Sequence, residues 1–180
     1  MITKATSLNN NFIFTKASLI DLDQIMVLIE NAKVFQRSMN NYQWDDKYPL
    51  ESHIREDIEN EIAYVLKQED KVLGYIAMPI IYDEFQSTVR QRYINGLSLN
   101  RLVVDINANI KGLGSIMMQN ALDYANSIDV WYVVGGTNRS NEGMKRLFTK
   151  FGFTNSKVVR ITRIKQPVFY EYFKDIKLYK

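Results

Sequence analysis

The segment that most constrains the fold is Leu99-Asn-Arg-Leu-Val-Val-Asp105, followed by Asn107-Ala-Asn-Ile-Lys-Gly-Leu-Gly-Ser-Ile-Met-Met-Gln-Asn-Ala121. A short β-branched run ends at an acid, a loop with two glycines follows, and then the period changes. Leu113, Met117, Ala121 and Tyr124 recur on one helical face, Ile116, Met118, Leu122 and Ala125 widen it, and Gln119, Asn120 and Asp123 point away. A helix with one apolar face must cover a sheet, so strand, loop and helix of an α/β layer are expected. The loop admits two uses. Its glycines let the backbone approach an anion at a helix start, where outward amides and the positive end of the dipole suit a pyrophosphate. Alternatively, Gly112 only makes the turn and Gly114 lets the helix sit close to the sheet. Two named phosphate motifs do not fit: Met117 stands where a dinucleotide fingerprint needs its third glycine, and the P-loop spacing is absent.

The flanking sequence supplies the rest of a mixed α/β sheet. Phe12 to Lys16 reads as a strand, Ser18 and Asp21 resemble a capping box with the shorter acid, and Leu22, Ile25, Ile29 and Ala32 mark a helix ending before Arg37. Residues 42–50 are aromatic, acidic and stopped by Pro49, which predicts an ordered loop with partly buried aromatics and a second helix from Glu51. Ala63 to Leu66 and Val72 to Met78 form a hairpin around Glu69-Asp70-Lys71, with Pro79 marking an edge or a bulge. A polar stretch from Asp83 to Gly96 leads to the strand at Leu99. Further on, Val130 to Val134 is a strand ended by Gly135-Gly136. Met144, Leu147, Phe148 and Phe151 line a helix closed by Gly152, with Phe153 clamping the cap. Val158 to Ile164 and Val168 to Phe173 are the last strands, the second started by Pro167.

With 180 residues, 46% hydrophobic and 24% charged, and 3 prolines, the chain is expected to form one domain over residues 1–180 without long disorder. The absence of cysteine excludes disulfides, thiolate zinc sites and a cysteine acyl-enzyme, so acyl transfer would be direct or use another nucleophile; no metal is expected. The start, MITKATSLNNNF, lacks the apolar core of a signal peptide, and the run from Val72 to Tyr82 is broken by Gly74 and Pro79. That run is well short of the roughly 18 residues of a membrane span, so a cytoplasmic protein without a membrane partner is expected. A net charge of +3 tolerates a polyanionic small ligand without pointing to nucleic acid. Phe169, Tyr170, Tyr172 and Phe173 in the basic tail alternate as packed strand residues do, which counts against a nucleic-acid module.

Downstream of the loop, after a strand and Asn138, lies Asn141-Glu-Gly-Met-Lys-Arg-Leu-Phe-Thr-Lys-Phe-Gly-Phe153. The two segments together resemble the GCN5-related N-acetyltransferase (GNAT) family. Its central motif is Arg/Gln-x-x-Gly-x-Gly/Ala after a strand, and its later pattern is Asn-x-x-Ala-x-x-Leu-Tyr-x-x-x-Gly-Phe. The resemblance spans Leu99 to Phe153, and the strand-helix order of the N-terminal half agrees with it. It implies the GNAT fold: one mixed, mostly antiparallel twisted sheet of about six or seven strands flanked by about four helices, with splayed central strands. It also implies transfer of an acetyl group from acetyl-CoA directly to an amine. By the same resemblance, Leu102, Val103 and Val104 would present backbone groups to the acetyl-pantetheine arm, with N–H groups around Val103 holding the thioester oxygen. Asn109, Ile110, Lys111, Gly112, Leu113, Gly114 and Ser115 would hold the pyrophosphate, Lys111 adding a charge. Asn138 and Asn141 would face the pantetheine, and Asn141 also suits a helix cap.

The chain departs from the family twice. Asn109 stands where arginine or glutamine is usual, which shortens one side-chain donor. Phe148 stands where a tyrosine often protonates the leaving thiolate. A thiol has a pKa near 8.5, so the thiolate is tolerable without a strong acid, and Phe148 reads as a packing residue beside the cofactor arm. Tyr170 and Tyr172, near the end of the chain, could supply a hydroxyl, with core or rim packing their plainer use. Glu84 and Asp83 are the candidate bases for the amine, Asp105 ends its strand, and His53 takes an exposed structural place at a helix start. From Asp45 to Glu61 seven acids face two bases. With Trp44 and Tyr48 they would favour a cationic amine, a small molecule such as a polyamine or a peptide N-terminus; the plainer use of those acids is a solvated helix face. Trp44 with Tyr48-Pro49 resembles a subgroup of bacterial acetyltransferases. A monomer or a homodimer is expected. The rival reading is a non-catalytic acyl-CoA-binding or regulatory domain that has lost proton transfer at Phe148.

Overall fold

A computed structural model describes residues 3–4, 12–86, 91–160 and 168–176, with side chains described for 12–82, 95–160 and 168–176. The strands are β1 (Thr3–Lys4), β2 (Phe12–Lys16), β3 (Ala63–Gln68), β4 (Lys71–Ala77), β5 (Ile80–Gln86), β6 (Gln91–Val104), β7 (Tyr132–Asn138), β8 (Thr154–Arg160) and β9 (Val168–Asp175). They join in one sheet ordered β1-β2-β3-β4-β6-β7-β9-β8, with β5 on β6 off that path. Every pairing is antiparallel except β6 with β7. The helices are α1 (Leu22–Ser38), α2 (Glu51–Glu59), α3 (Leu113–Ser127) and α4 (Glu142–Lys150). This is the mixed, mostly antiparallel α/β architecture the sequence predicts.

The helices cover both faces of the sheet. Ile25 and Ile29 of α1 and Ile54 of α2 pack on Val65, Tyr75 and Val103. On the other face Met117, Met118 and Ala121 of α3 and Phe148 of α4 pack on Leu66, Leu73, Ile76 and Leu97. Because β3 and β4 are covered on both sides, they read as continuous apolar runs rather than alternating ones. Each fully buried Ile or Leu contributes about 1.5–3 kcal/mol of apolar transfer, so this two-sided burial fixes the order of the central strands.

One irregularity on β6 shapes the site. The side chains that face α3 and α4 are Leu97 and Leu99, then Leu102 and Val104, while Val103 faces the α1 side. Odd positions give way to even ones because β6 carries an extra residue. Tyr75 pairs with Val103 but Ala77 with Asn100, so Arg101 and Leu102 together oppose Ile76. Arg101 takes φ +55, the left-handed conformation. For an L-residue that conformation costs roughly 1–2 kcal/mol.

Several sequence expectations need correction. The first helix runs on to Ser38, with Arg37 in its last turn, where a cation complements the helix dipole. The polar stretch from Asp83 to Gly96 is no loop: β5 and β6 pair from Ile80↔Leu97 to Gln86↔Gln91, and only 87–90 lie outside the described residues. A two-stranded arm is held by its backbone ladder and needs no apolar face; Ile80 and Tyr82 in it are exposed. Pro79 lies between β4 and β5, neither edge nor bulge, and its carbonyl accepts the Ser98 N–H. Gly135 and Gly136 do not end the strand, which starts at Tyr132 and continues to Asn138. An alanine Cβ at 135 would lie 2.7 Å from Phe148, so the glycine is there for the ring. Asn120 does not point to solvent; it is buried, and its Nδ2 donates to the Ile116 carbonyl at 2.8 Å, which satisfies it inside the helix. The strand placed at Val158 begins at Thr154, and β9 runs past Phe173 to Asp175. Ile161 to Ile164 and Pro167 lie outside the described residues.

Candidate functional site

The parallel pair β6 and β7 runs from Gly96↔Tyr132 to Leu99↔Gly135 and then separates. Beyond that point β6 pairs with β4 and β7 with β9. The gap opens a small cleft bounded by Leu99, Arg101 and Leu102 on one strand, Gly136 and Thr137 on the other, and Asn141 and Met144 at the start of α4. Gln36 at the end of α1, with Gln43 and Trp44 from the 42–50 loop, closes the remaining side. That loop is pinned at both ends. Lys33 Nζ donates to the Pro49 carbonyl at 2.9 Å, and Gln43 Oε1 accepts the Asn138 N–H at 3.0 Å and the Thr137 hydroxyl at 3.3 Å. Gln36 Oε1 is buried beside the cleft without a hydrogen-bond partner among the described residues.

The glycine loop lies at the end of β6 nearest this parting. Asp105 is buried; its Oδ1 accepts the Asn107 N–H at 2.9 Å and its Oδ2 pairs with Lys71 at 2.8 Å. Burial pushes its pKa up, yet Lys71 and the loop amides outweigh that and hold it below the ordinary carboxylate value. Gly112 takes φ +85 as the N-cap of α3, no side chain caps the helix, and a Cβ there would meet nothing within 4 Å. The first turn is therefore open to a ligand on the side where its dipole is positive. Gly114 has a different place: a Cβ would sit 3.7 Å from Leu147 of α4, an ordinary contact, so close packing on the sheet does not require it. Asn109 and Lys111 are exposed, and Ile110 packs against the α3 core. Lys150 of α4 donates to Ser115 Oγ at 2.8 Å and so brings to this turn an ammonium that sequence reasoning missed.

The other expected site residues separate into cleft-lining and supporting ones. Leu102, Asn141 and Trp44 line the cleft; Val103 is buried toward α1, and Val104 packs toward α3. Asn141 caps α4, its Oδ1 accepting the Met144 N–H at 3.1 Å. Asn138 is buried and its Oδ1 accepts both the N–H and the hydroxyl of Ser140, so it shapes the turn into α4. Phe148 is buried, stacked on Tyr172 with centroids 4.6 Å apart and edge-on to Phe153 at 5.1 Å. Tyr170 pairs with Thr137 across β9, with Lys145 5.8 Å from its ring. Asp83 and Glu84 belong to β5, where their backbones pair with Ile94 and Tyr93; their side chains lie outside the described set. His53 Nδ1 accepts the Leu50 N–H at the start of α2.

A charged cluster under the cleft escaped the sequence reading. Arg101 donates through Nε to Asp57 Oδ2 at 2.8 Å, through a second nitrogen to Asp57 Oδ1, and through the third to the Tyr48 hydroxyl at 2.8 Å. Tyr75 also donates to Asp57 Oδ2, so Tyr48 stands behind Arg101 rather than on the cleft wall. Burial, reinforced by the Asp57 carboxylate, pushes the Tyr75 hydroxyl pKa up. Burial would lower that of Arg101, but its bonds to Asp57 and Tyr48 overcome this and keep it charged. The acidic window is also less negative than its count suggests: Asp46 pairs with Arg37, Glu51 with Arg55, Asp57 with Arg101 and Glu61 with Lys16. The signal for Arg101 was present in the sequence, as a charge placed where the apolar alternation of β6 changes parity.

The model of the acetyltransferase (GNAT) family matches residues 29–153, which contain the parted strands, the glycine loop and every residue lining the cleft. The chain belongs to this family. Solved GNAT structures share its fold. An acetyltransferase from Streptococcus agalactiae 2603 is 20% identical with a TM-score of 0.77, covering 93% of this chain and 97% of that one. The ribosomal-protein-S18-alanine N-acetyltransferase of Escherichia coli is 14% identical with a TM-score of 0.66, over 94% and 96%. Arabidopsis thaliana Naa50, in complex with the bisubstrate analogue CoA-Ac-MVNAL, is 19% identical with a TM-score of 0.63, over 91% and 97%. No curated protein matches the chain. Among the described residues no group of three or more histidine or acidic side chains is placed to hold a metal, and no helix is long and apolar enough to cross a membrane.

Proposed function

We propose that this GNAT protein is an N-acetyltransferase that moves the acetyl group of acetyl-CoA directly to an amine, a small molecule or a peptide N-terminus. The observation that carries the reading is the parting of β6 and β7 after Leu99↔Gly135, beside a helix start held open by left-handed Gly112. The residues present suit the cosubstrate. The first turn of α3 with Lys111 and Lys150 offers amides and two ammonium groups to a pyrophosphate, and Leu102, at the bulge, borders the gap where a pantetheine arm would lie.

Acetyl-CoA supplies an activated thioester; the remaining work falls to the chain. Backbone N–H groups at the bulge orient the acyl oxygen, and preorganised donors of this kind are worth most where water is excluded. Trp44, Leu102 and Met144 exclude it. Closeness of amine and thioester in the cleft supplies much of the rest. The amine must lose a proton, for which Glu84 and Asp83 of the β5–β6 arm are the candidates, with Tyr170 the hydroxyl candidate for the departing thiolate. Phe148, stacked in the core, takes no part in proton transfer. The protein acts as one domain in the cytoplasm, as a monomer or homodimer.

The test is thermal stabilisation by acetyl-CoA of the parent, Gly112→Asn and Gly112→Asp, with CoA release followed over a panel of amines. Asparagine and aspartate both tolerate the left-handed region, their Cβ meets no neighbouring atom, and the two side chains match in size, so the pair differs chiefly in charge. At a ligand concentration of about 100 Kd the parent should gain about 2.7 kcal/mol, the asparagine variant should keep most of it, and the aspartate variant should lose it. An aspartate variant stabilised as strongly as the parent removes the loop from the site. Binding without turnover on any amine would replace the enzyme with the non-catalytic acyl-CoA-binding reading.

A further inference from the structure

We propose that Arg101 is a positioning residue: its ion pair with Asp57 latches the left-handed bulge of β6, and thereby holds the backbone of Leu102 and Val103 where it recognises the acetyl group. The proposal rests on the acetyltransferase reading above. The extra residue of a bulge in this conformation is ordinarily glycine, because only glycine enters it without a Cβ penalty. Here it is an arginine with φ +55, so the side chain must supply what holds the backbone there. Arg101 contacts both carboxylate oxygens of Asp57, and the two side chains are only 15% and 4% exposed. A buried fork of this geometry is specific, because removing either partner leaves the other desolvated and unpaired.

The latch joins four parts of the site. Arg101 comes from the bulge, Asp57 from α2, Tyr75 from β4 and Tyr48 from the loop that also carries Trp44. The Tyr48 ring lies 5.8 Å from the guanidinium carbon, so the loop is held by a hydrogen bond and by the ring face together. Tyr75 pairs with Val103, the residue after the bulge, and its hydroxyl reaches the same Asp57 oxygen that Arg101 Nε uses. Were Arg101 to relax into extended backbone, the extra residue would have to be taken up between it and Asp105, and Leu102 would turn from the cleft toward α1. The cleft wall would go, and with it the amides that face the acyl group. The pyrophosphate loop, anchored through Asp105 to Lys71 and Asn107, would not move.

That separation defines the experiment. CoA and acetyl-CoA are titrated calorimetrically, without any amine, into the parent, Arg101→Gly, Arg101→Lys and Asp57→Asn, each shown folded by its melt. Glycine keeps the left-handed conformation accessible while removing the latch. CoA should still bind across the set through the pyrophosphate loop, and should lose less affinity than acetyl-CoA does. The parent's preference for acetyl-CoA over CoA should fall toward unity in Arg101→Gly and Asp57→Asn and return in part in Arg101→Lys, a pattern that general destabilisation would not produce. A folded Arg101→Gly protein with the parent's full preference overturns the latch, as does a parent with no preference. A parent that binds neither ligand brings down the acetyltransferase reading and the latch with it, and is told apart from failure of the latch alone by the loss of CoA binding.

Discussion

Replacing Gly135 with alanine tests whether β7 and α4 are fitted to one another as closely as the geometry states. The new Cβ would lie 2.7 Å from Phe148 Cζ, 3.0 Å from its Cε1 and 3.4 Å from Leu99 Cβ. Carbon atoms rest about 3.5–4.0 Å apart, so the ring edge would have to retreat by roughly 0.8 Å or more. It has no room: the ring is 1% exposed, stacked on Tyr172 at an interplanar angle of 12° and backed by Phe153. Overpacking of this kind costs about 1–3 kcal/mol, offset by about 0.4–1 kcal/mol because the unfolded chain loses freedom, for a net loss of about 1–2 kcal/mol. For a chain of this size each kcal/mol moves Tm by about 2–4 °C, so a fall of about 2–8 °C is expected. Trimming the ring separates the steric cause from others. Phe148→Leu destabilises by itself, but Gly135→Ala added to it should cost less than in the parent, with a coupling of about 0.5–2 kcal/mol. The assay is urea and thermal unfolding of the parent, both single variants and the double variant. A Gly135→Ala protein as stable as the parent, or strictly additive costs, refutes the argument.

Two further outcomes follow from single contacts. Asn141→Ala removes the acceptor for the Met144 N–H and should cost about 0.5–2 kcal/mol in urea unfolding, while Asn141→Asp, which keeps the acceptor and suits the dipole, should retain the parent's stability; equal losses in both would show that the cap is idle. Asp21 is buried, which pushes its pKa up, but its bonds to Lys67 at 2.5 Å and to Ser18 prevail and hold it below the ordinary 3.8. Its stabilising share is therefore present above that value and lost as pH falls through the depressed one, so Asp21→Asn should lose less Tm than the parent between about pH 5 and pH 2, and parallel curves would contradict this.

What the sequence shows most directly is whatever local burial decides. The hairpin β3–β4, covered on both faces, and the apolar stripe of α3 announce themselves because their periods follow from burial alone. Glycines in a strand are ambiguous in the same terms, since they signal either an end or a close approach. Gly135 reads as an end from the sequence because Phe148, the residue that approaches it, comes from the next helix; Gly136 has no such close neighbour. The β5–β6 arm is hidden for a complementary reason: Asp83-Glu84 and Gln91-Arg92 break the period-two alternation, so the sequence pattern does not announce its backbone pairing.

The same distinction governs the acceptor side. Seven acids between Asp45 and Glu61 suggest a cationic partner only while charge is summed within the window. Three of their partners, Arg37, Arg101 and Lys16, come from outside it, and Asp57 meets Arg101 across 44 residues. The acid beneath the cleft is thus already neutralised, by the guanidinium of Arg101. Attraction of an amine by the exposed remainder would be screened by salt within about 8–10 Å, whereas the groups bordering the cleft act at contact. On the acetyltransferase reading proposed above, selection among amines would fall to groups that border the cleft, Trp44 and Arg101 among them, and varying ionic strength should change capture of an amine far more than the choice between two amines of equal charge.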